Sequence, residues 1–110
     1  MNRFINAARV LNTTDQVIYT CPENSYAVIH TIYFSTTDEN DCKNITMKIR
    51  TAQTGQIFNI AFKTDLPPKT TLSFEKPINL SSNDELIASA GSIGDVHMFV
   101  SIMHVIPMSL

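Results

Sequence analysis

The chain has 110 residues, of which 44% are hydrophobic and only 16% charged, with a formal net charge of -2. That length suits one domain with its own core. The balance excludes the strongly basic surface of a nucleic-acid or anionic-lipid binder, and no apolar run approaches the ~20 residues of a membrane-spanning helix. So little charge leaves a surface rich in Thr, Ser and Asn, or one partly covered by other subunits.

Residues 1–14 read as an N-terminal arm ahead of a β-sandwich domain spanning 15–110. The first nine residues lack the continuous apolar stretch of a signal peptide. Synthesis in a reducing cytoplasm is therefore expected, with Cys21 and Cys42 as free thiols. The arm carries Phe4, Ile5, Val10 and Leu11 between Arg3, Arg9 and the polar Asn12-Thr13-Thr14. It reads as an edge strand or as an extension that docks on a neighbouring subunit.

From residue 16 onward the pattern is short strands and turns. Val17–Cys21 is a strand ended by Pro22, which has no N–H to give to a ladder. Tyr26–Ser35 is the longest strand and is apolar on both parities. Such a strand is either central or meets another subunit with its second face. Thr36–Asp41 is a polar loop. Asn44–Ala52 and Gln56–Lys63 alternate apolar and polar residues and are joined through Gln53-Thr54-Gly55, where Gly55 is free to take positive φ. Pro67-Pro68 marks a stiff loop, Thr70–Glu75 a strand, and Lys76-Pro77 its break. Ile78–Leu80, Glu85–Ala90 and Asp95–Ile106 follow, separated by Ser81–Asp84 and Gly91–Gly94 turns. Seven or eight strands at this spacing predict an all-β antiparallel sandwich or jelly roll. Matching parity predicts Ile45, Met47, Ile49, Phe58, Ile60, Phe62, Leu72, Phe74, Leu86 and Ala88 facing inward.

Tested for chemistry, the chain offers none. His97 and His104 differ in strand parity and face opposite sides, and no His-x-His or Cys-x-x-Cys spacing supplies a metal site. Asp38-Glu39-Asn40-Asp41 has the oxygens of a calcium loop but not the Gly and distal Glu of an EF-hand. Asp84 and Glu85 are neighbours that point apart and do not form a glycosidase pair. There is no phosphate loop and no nucleophile elbow. The expectation is a non-enzyme without catalytic residues, metal or cofactor.

Two stretches carry a family resemblance. Val17-Ile18-Tyr19-Thr20-Cys21-Pro22 followed by the apolar Ala27–Ser35 and a Thr/Asp loop is one. Leu72–Ala90, with Pro77-Ile78-Asn79-Leu80 and Asn83-Asp84-Glu85-Leu86-Ile87-Ala88, is the other. Both resemble small all-β virion proteins of tailed bacteriophages. Asn83 stands where that pattern has Gly, and Asn is the next best residue for a left-handed turn. The resemblance implies a bacteriophage virion structural protein, foremost a capsid decoration (cement) protein, made in the host cytoplasm and located in the virion. It implies other virion proteins as partners, either the major capsid protein or tail and neck proteins, and a homo-oligomer, with a trimer favoured. A tail-fibre, neck or tail-adaptor module and a carbohydrate-binding host-recognition module are the alternatives. The expected contact residues are Phe4, Ile5, Val10 and Leu11 of the arm, with Tyr26 and Tyr33.

Overall fold

The computed structural model describes residues 2–106. They form nine strands and no helix: β1 (Asn2–Val10), β2 (Gln16–Thr20), β3 (Tyr26–Thr36), β4 (Lys43–Arg50), β5 (Ile57–Leu66), β6 (Thr71–Phe74), β7 (Ile78–Leu80), β8 (Glu85–Ala90) and β9 (Val96–Val105). Every pairing is antiparallel. β1 pairs with β9, β2 with β8, β3 with β6 and β7, and β4 with β5. These are nested pairs of one long ribbon. Two further pairings, β9 with β3 and β8 with β4, roll the ribbon into a β1-β9-β3-β6/β7 sheet and a β2-β8-β4-β5 sheet. That connectivity is a jelly roll. β6 and β7 lie along successive parts of β3 and act as one edge, interrupted at Glu75-Lys76-Pro77.

The core lies between the sheets. Phe34, Leu11, Ile29, Ile32, Ile45, Met47, Leu66, Leu80, Leu86, Met98 and Ile102 are among its fully buried side chains. Each buried side chain of this size stabilises the fold by roughly 1.5–3 kcal/mol relative to exposure. Phe34 meets the Phe74 ring edge-on, with centroids 5.9 Å apart. Two turns behave as their residues predict. Gly55 has φ 71° and its amide donates to the Thr51 carbonyl at 2.8 Å, and Asn83 takes the left-handed φ of 67°. Between them, Asp84 is a buried junction. Its carboxylate accepts the Ala52 amide at 2.9 Å and the Ser81 amide at 2.8 Å, tying the β7–β8 turn to the end of β4.

Here one of two open readings is selected and one expectation is corrected. Residues 2–10 have a partner strand inside the domain: they pair with β9 in unbroken register from Asn2↔Val105 to Val10↔His97. Of the two readings of this segment, the edge strand is the one seen. Phe58, Ile60 and Phe62 are not core residues, being 47%, 43% and 61% exposed. The register of β5 against β4 slips twice, between Ile45 and Met47 and between Met47 and Lys48. Lys63, with φ 46°, sits in the first bulge. Each extra residue inverts the in–out alternation, so Ala61 and Leu66 turn inward while Ile60 and Phe62 turn out. The other seven predicted positions do face the core: Ile45, Met47, Ile49, Leu86 and Ala88 are buried, and Leu72 and Phe74 pack against it half-buried.

Candidate functional site

The polar groups singled out in the sequence do not converge. His97 points outward on β9 and His104 inward, as their parity requires, while His30 lies outward at a bulge in β3. Among the described residues no three His, Cys, Asp or Glu side chains come together. The Asp38 carboxylate is engaged within its own loop: it accepts the Asn40 amide at 2.8 Å and the Asp41 amide at 3.3 Å and pairs with the Lys43 ammonium at 3.1 Å. These bonds hold its pKa below the ordinary value, the Asn40 amide foremost and then the Lys43 ammonium. Cys21 and Cys42 are free, the first buried and the second exposed. Burial, and then the charge of Asp84, push the Cys21 thiol up, which disfavours the reactive thiolate. Glu85 pairs with Arg50 across the sheet surface, away from the inward Asp84 bonds.

What the structure does assemble is apolar surface. Outward positions of the β1-β9-β3 sheet line up in rows across the strands. Phe4, Met103 and Val28 make one row, and Ala8, Phe99 and Tyr33 another, with Asn6, Ser101 and Thr31 between them. Phe4 is 75% exposed, and Val10, Tyr26, Tyr33 and Phe99 are each about half exposed. The Phe4 ring approaches His30 over this face, with centroids 6.2 Å apart. A shallow depression of about 280 Å³ sits at one end, walled by Val10, Tyr33, Phe99 and His97, with Arg9 also contributing to its lining. None of the outward positions on the five strands of this sheet holds Asp, Glu, Lys or Arg. Arg3 and Arg9 lie on the opposite parity at the sandwich rim, where the Arg9 guanidinium donates to the Ala8 carbonyl at 2.8 Å and reaches the Ile18 carbonyl of β2 at 3.5 Å.

Of the six contact residues expected from sequence, Phe4, Val10, Tyr26 and Tyr33 stand on this one face. Leu11 does not: it is fully buried, because the chain turns into the core after β1 and the Leu11 amide bonds the Val96 carbonyl. Ile5 lies on the inward parity of β1 and packs half-buried against the core. Phe99 is not singled out by the sequence because β9 is apolar on both parities, and its neighbours β1 and β3 decide which one faces out. A second apolar surface runs along β5, with Ile57, Phe58, Ile60 and Phe62. Lys63 lies over the Phe62 ring there, 5.4 Å from its centroid. A groove of about 540 Å³ between Ile60 and Phe74, Pro77 and Ile78 borders it.

No protein-family model matches the chain, and no curated protein matches its sequence. Solved structures do match its shape. A chain of the acid-stable capsid of Helicobacter pylori bacteriophage KHP30 superposes with a TM-score of 0.55 at 11% identity, over 99% of this chain and 90% of that one. A chain of the Bacillus endospore appendages, which form disulfide-linked pili, gives 0.59 at 11% identity over 98% and 88%. A chain of the T13 IBDV viral particle gives 0.58 at 11% identity over 96% of this chain, which spans 31% of that protein. At such identities the likeness is one of fold.

Proposed function

We propose that this chain is a non-enzymatic structural protein of a bacteriophage particle, and specifically a capsid decoration protein that stabilises the shell through subunit contacts. The observation that carries the reading is the broad, charge-free apolar face on an otherwise closed jelly roll. A sheet face with several large apolar side chains exposed and no charged residue at its outward strand positions is suited to being covered by protein. The bacteriophage-like motifs around Val17–Asp38 and Leu72–Ala90 point to the virion. The KHP30 capsid chain of nearly the same extent supports a particle made from such a domain. The partners are then other virion proteins, foremost the major capsid protein, and the protein is a homo-oligomer, for which closed three-fold symmetry is the proposed arrangement.

A fibre module is the second reading, favoured by the full-length likeness to the pilus-forming appendage chain. Mixing the purified chain with capsid shells and imaging the product separates the two. Copies spread over the whole shell are expected. Density confined to a tail or fibre would replace decoration with the second reading, and no binding to any virion part would overturn both.

A further inference from the structure

We infer that copies of this chain associate with one another through the outward face of the β1-β9-β3-β6/β7 sheet. This deepens the structural-subunit reading and rests on it. The face is apolar in the Phe4–Met103–Val28 and Ala8–Phe99–Tyr33 rows and polar but uncharged between them. Two charge-free faces meet without burying an unpaired ion, the most expensive element of an interface. A partner that recognises through charge finds nothing complementary here, so the same face on a second copy is the occupant that the chemistry fits.

The dimensions agree. Four strand positions at ~4.8 Å and nine residues at ~3.4 Å give a face of about 19 by 30 Å, or roughly 600 Å² per copy. A face-to-face pair then covers about 1,200 Å², at the threshold of a specific interface. The width also bounds the symmetry. Packed sheets lie ~10 Å apart, so side chains reach about 5 Å from each sheet plane. Two stacked faces satisfy that spacing directly. Three faces about 19 Å wide around a three-fold axis stand about 5.5 Å from it, which the side chains still fill. Four would stand about 9.5 Å away and leave a hollow. The association is therefore two- or three-fold.

The test measures the solution mass of the full chain and of Phe4→Lys, Phe99→Lys and, as a control on the other sheet, Val17→Lys. Each must retain a β-sheet spectrum and a cooperative melt. The wild type and Val17→Lys are expected at two or three chain masses, and Phe4→Lys and Phe99→Lys at one. Phe4 is 75% exposed on an edge strand, so its substitution leaves the core intact and the test stands on that variant alone if Phe99→Lys does not fold. A wild type of one chain mass overturns the inference, as do four or more chains, or two lysine variants that keep the wild-type mass. A one-chain wild type that still binds capsid shells shows the face covered by a shell protein, which sinks self-association and keeps the virion role. An assembled wild type that binds no virion part does the reverse.

Discussion

The outward face of the β2-β8-β4-β5 sheet is studded with ions: Lys48 pairs with Asp15 at 3.0 Å, Arg50 with Glu85, and Lys63 covers Phe62. The outward strand positions of the β1-β9-β3-β6/β7 sheet hold none, and there Phe4, Phe99 and Tyr33 stand among apolar residues and Asn, Ser, Thr and His. Both faces belong to antiparallel sheets that cover the same core, so fold stability does not require the difference. An ion-studded face keeps a protein soluble and apart from its neighbours. A charge-free one is prepared for burial. The contrast makes the charge-free sheet face the place where the proposed contacts are to be tested.

The contrast sharpens first within a single strand pair. Phe34 on the inner side of β3 is fully buried, while Phe99 on the outer side of β9 is 44% exposed. Phe34→Ala is expected to destabilise the chain by about 3–5 kcal/mol. Phe99→Ala should stay within ~0.5 kcal/mol in the dissociated chain and act on assembly instead. Urea unfolding at low protein concentration compares them, and equal losses would show that the outer ring belongs to the core.

Asp84 gives the next largest effect. Asp84→Ala takes from the Ala52 and Ser81 amides, in a part-buried turn, two hydrogen bonds to a charged acceptor, which should cost about 1–3 kcal/mol. Asp84→Asn keeps one acceptor oxygen and should fall between the two, as chemical denaturation would read directly. On the ion-studded face, Lys48→Ala should change stability by only ~0–1 kcal/mol, with the effect fading in salt. A large salt-insensitive loss there would break the contrast.

The smallest effect is at Asp38. Its folded pKa lies below the ordinary 3.8, so its stabilisation is present above that value and is lost as pH falls through the folded one. Lys43, raised above 10.5 first by its bond to Asp38, contributes below that value and ceases to as pH rises through its folded one. Asp38→Asn should flatten the acid side of the melting profile. An unchanged acid slope would show the loop bonds to be energetically silent.

Much of this architecture was legible in the sequence, because strands announce themselves by alternation and turns by their residues. Ile78–Leu80 and Glu85–Ala90 lie where the pattern placed them, and Gly55 and Asn83 take the positive φ expected of them. The side of β5 was not legible. Its Phe58, Ile60 and Phe62 alternate cleanly, but two bulges created by pairing with β4 put Ala61 inward between them and turn Ile60 and Phe62 out, while Phe58 lies opposite Ile49 and stays half exposed on the edge strand; no local signal marks a register set by a partner strand. The pairing of β1 with β9 was hidden for a similar reason, since it joins opposite ends of the chain. The proposed contact face was half legible: β3 is apolar on both parities, but Tyr26 and Tyr33 share a face only through the bulge between Ile29 and Thr31, and Phe99 joins them only once β9 lies alongside.

The most direct test of the account is hydroxyl-radical footprinting of the full chain at concentrations where it is assembled and where it is dissociated. The account predicts that Phe4, Tyr33 and Phe99 become protected on assembly while Val17 and Phe62 react equally in both states. Protection of Phe62 and its β5 neighbours, with the Phe4–Tyr33–Phe99 face unchanged, would contradict it.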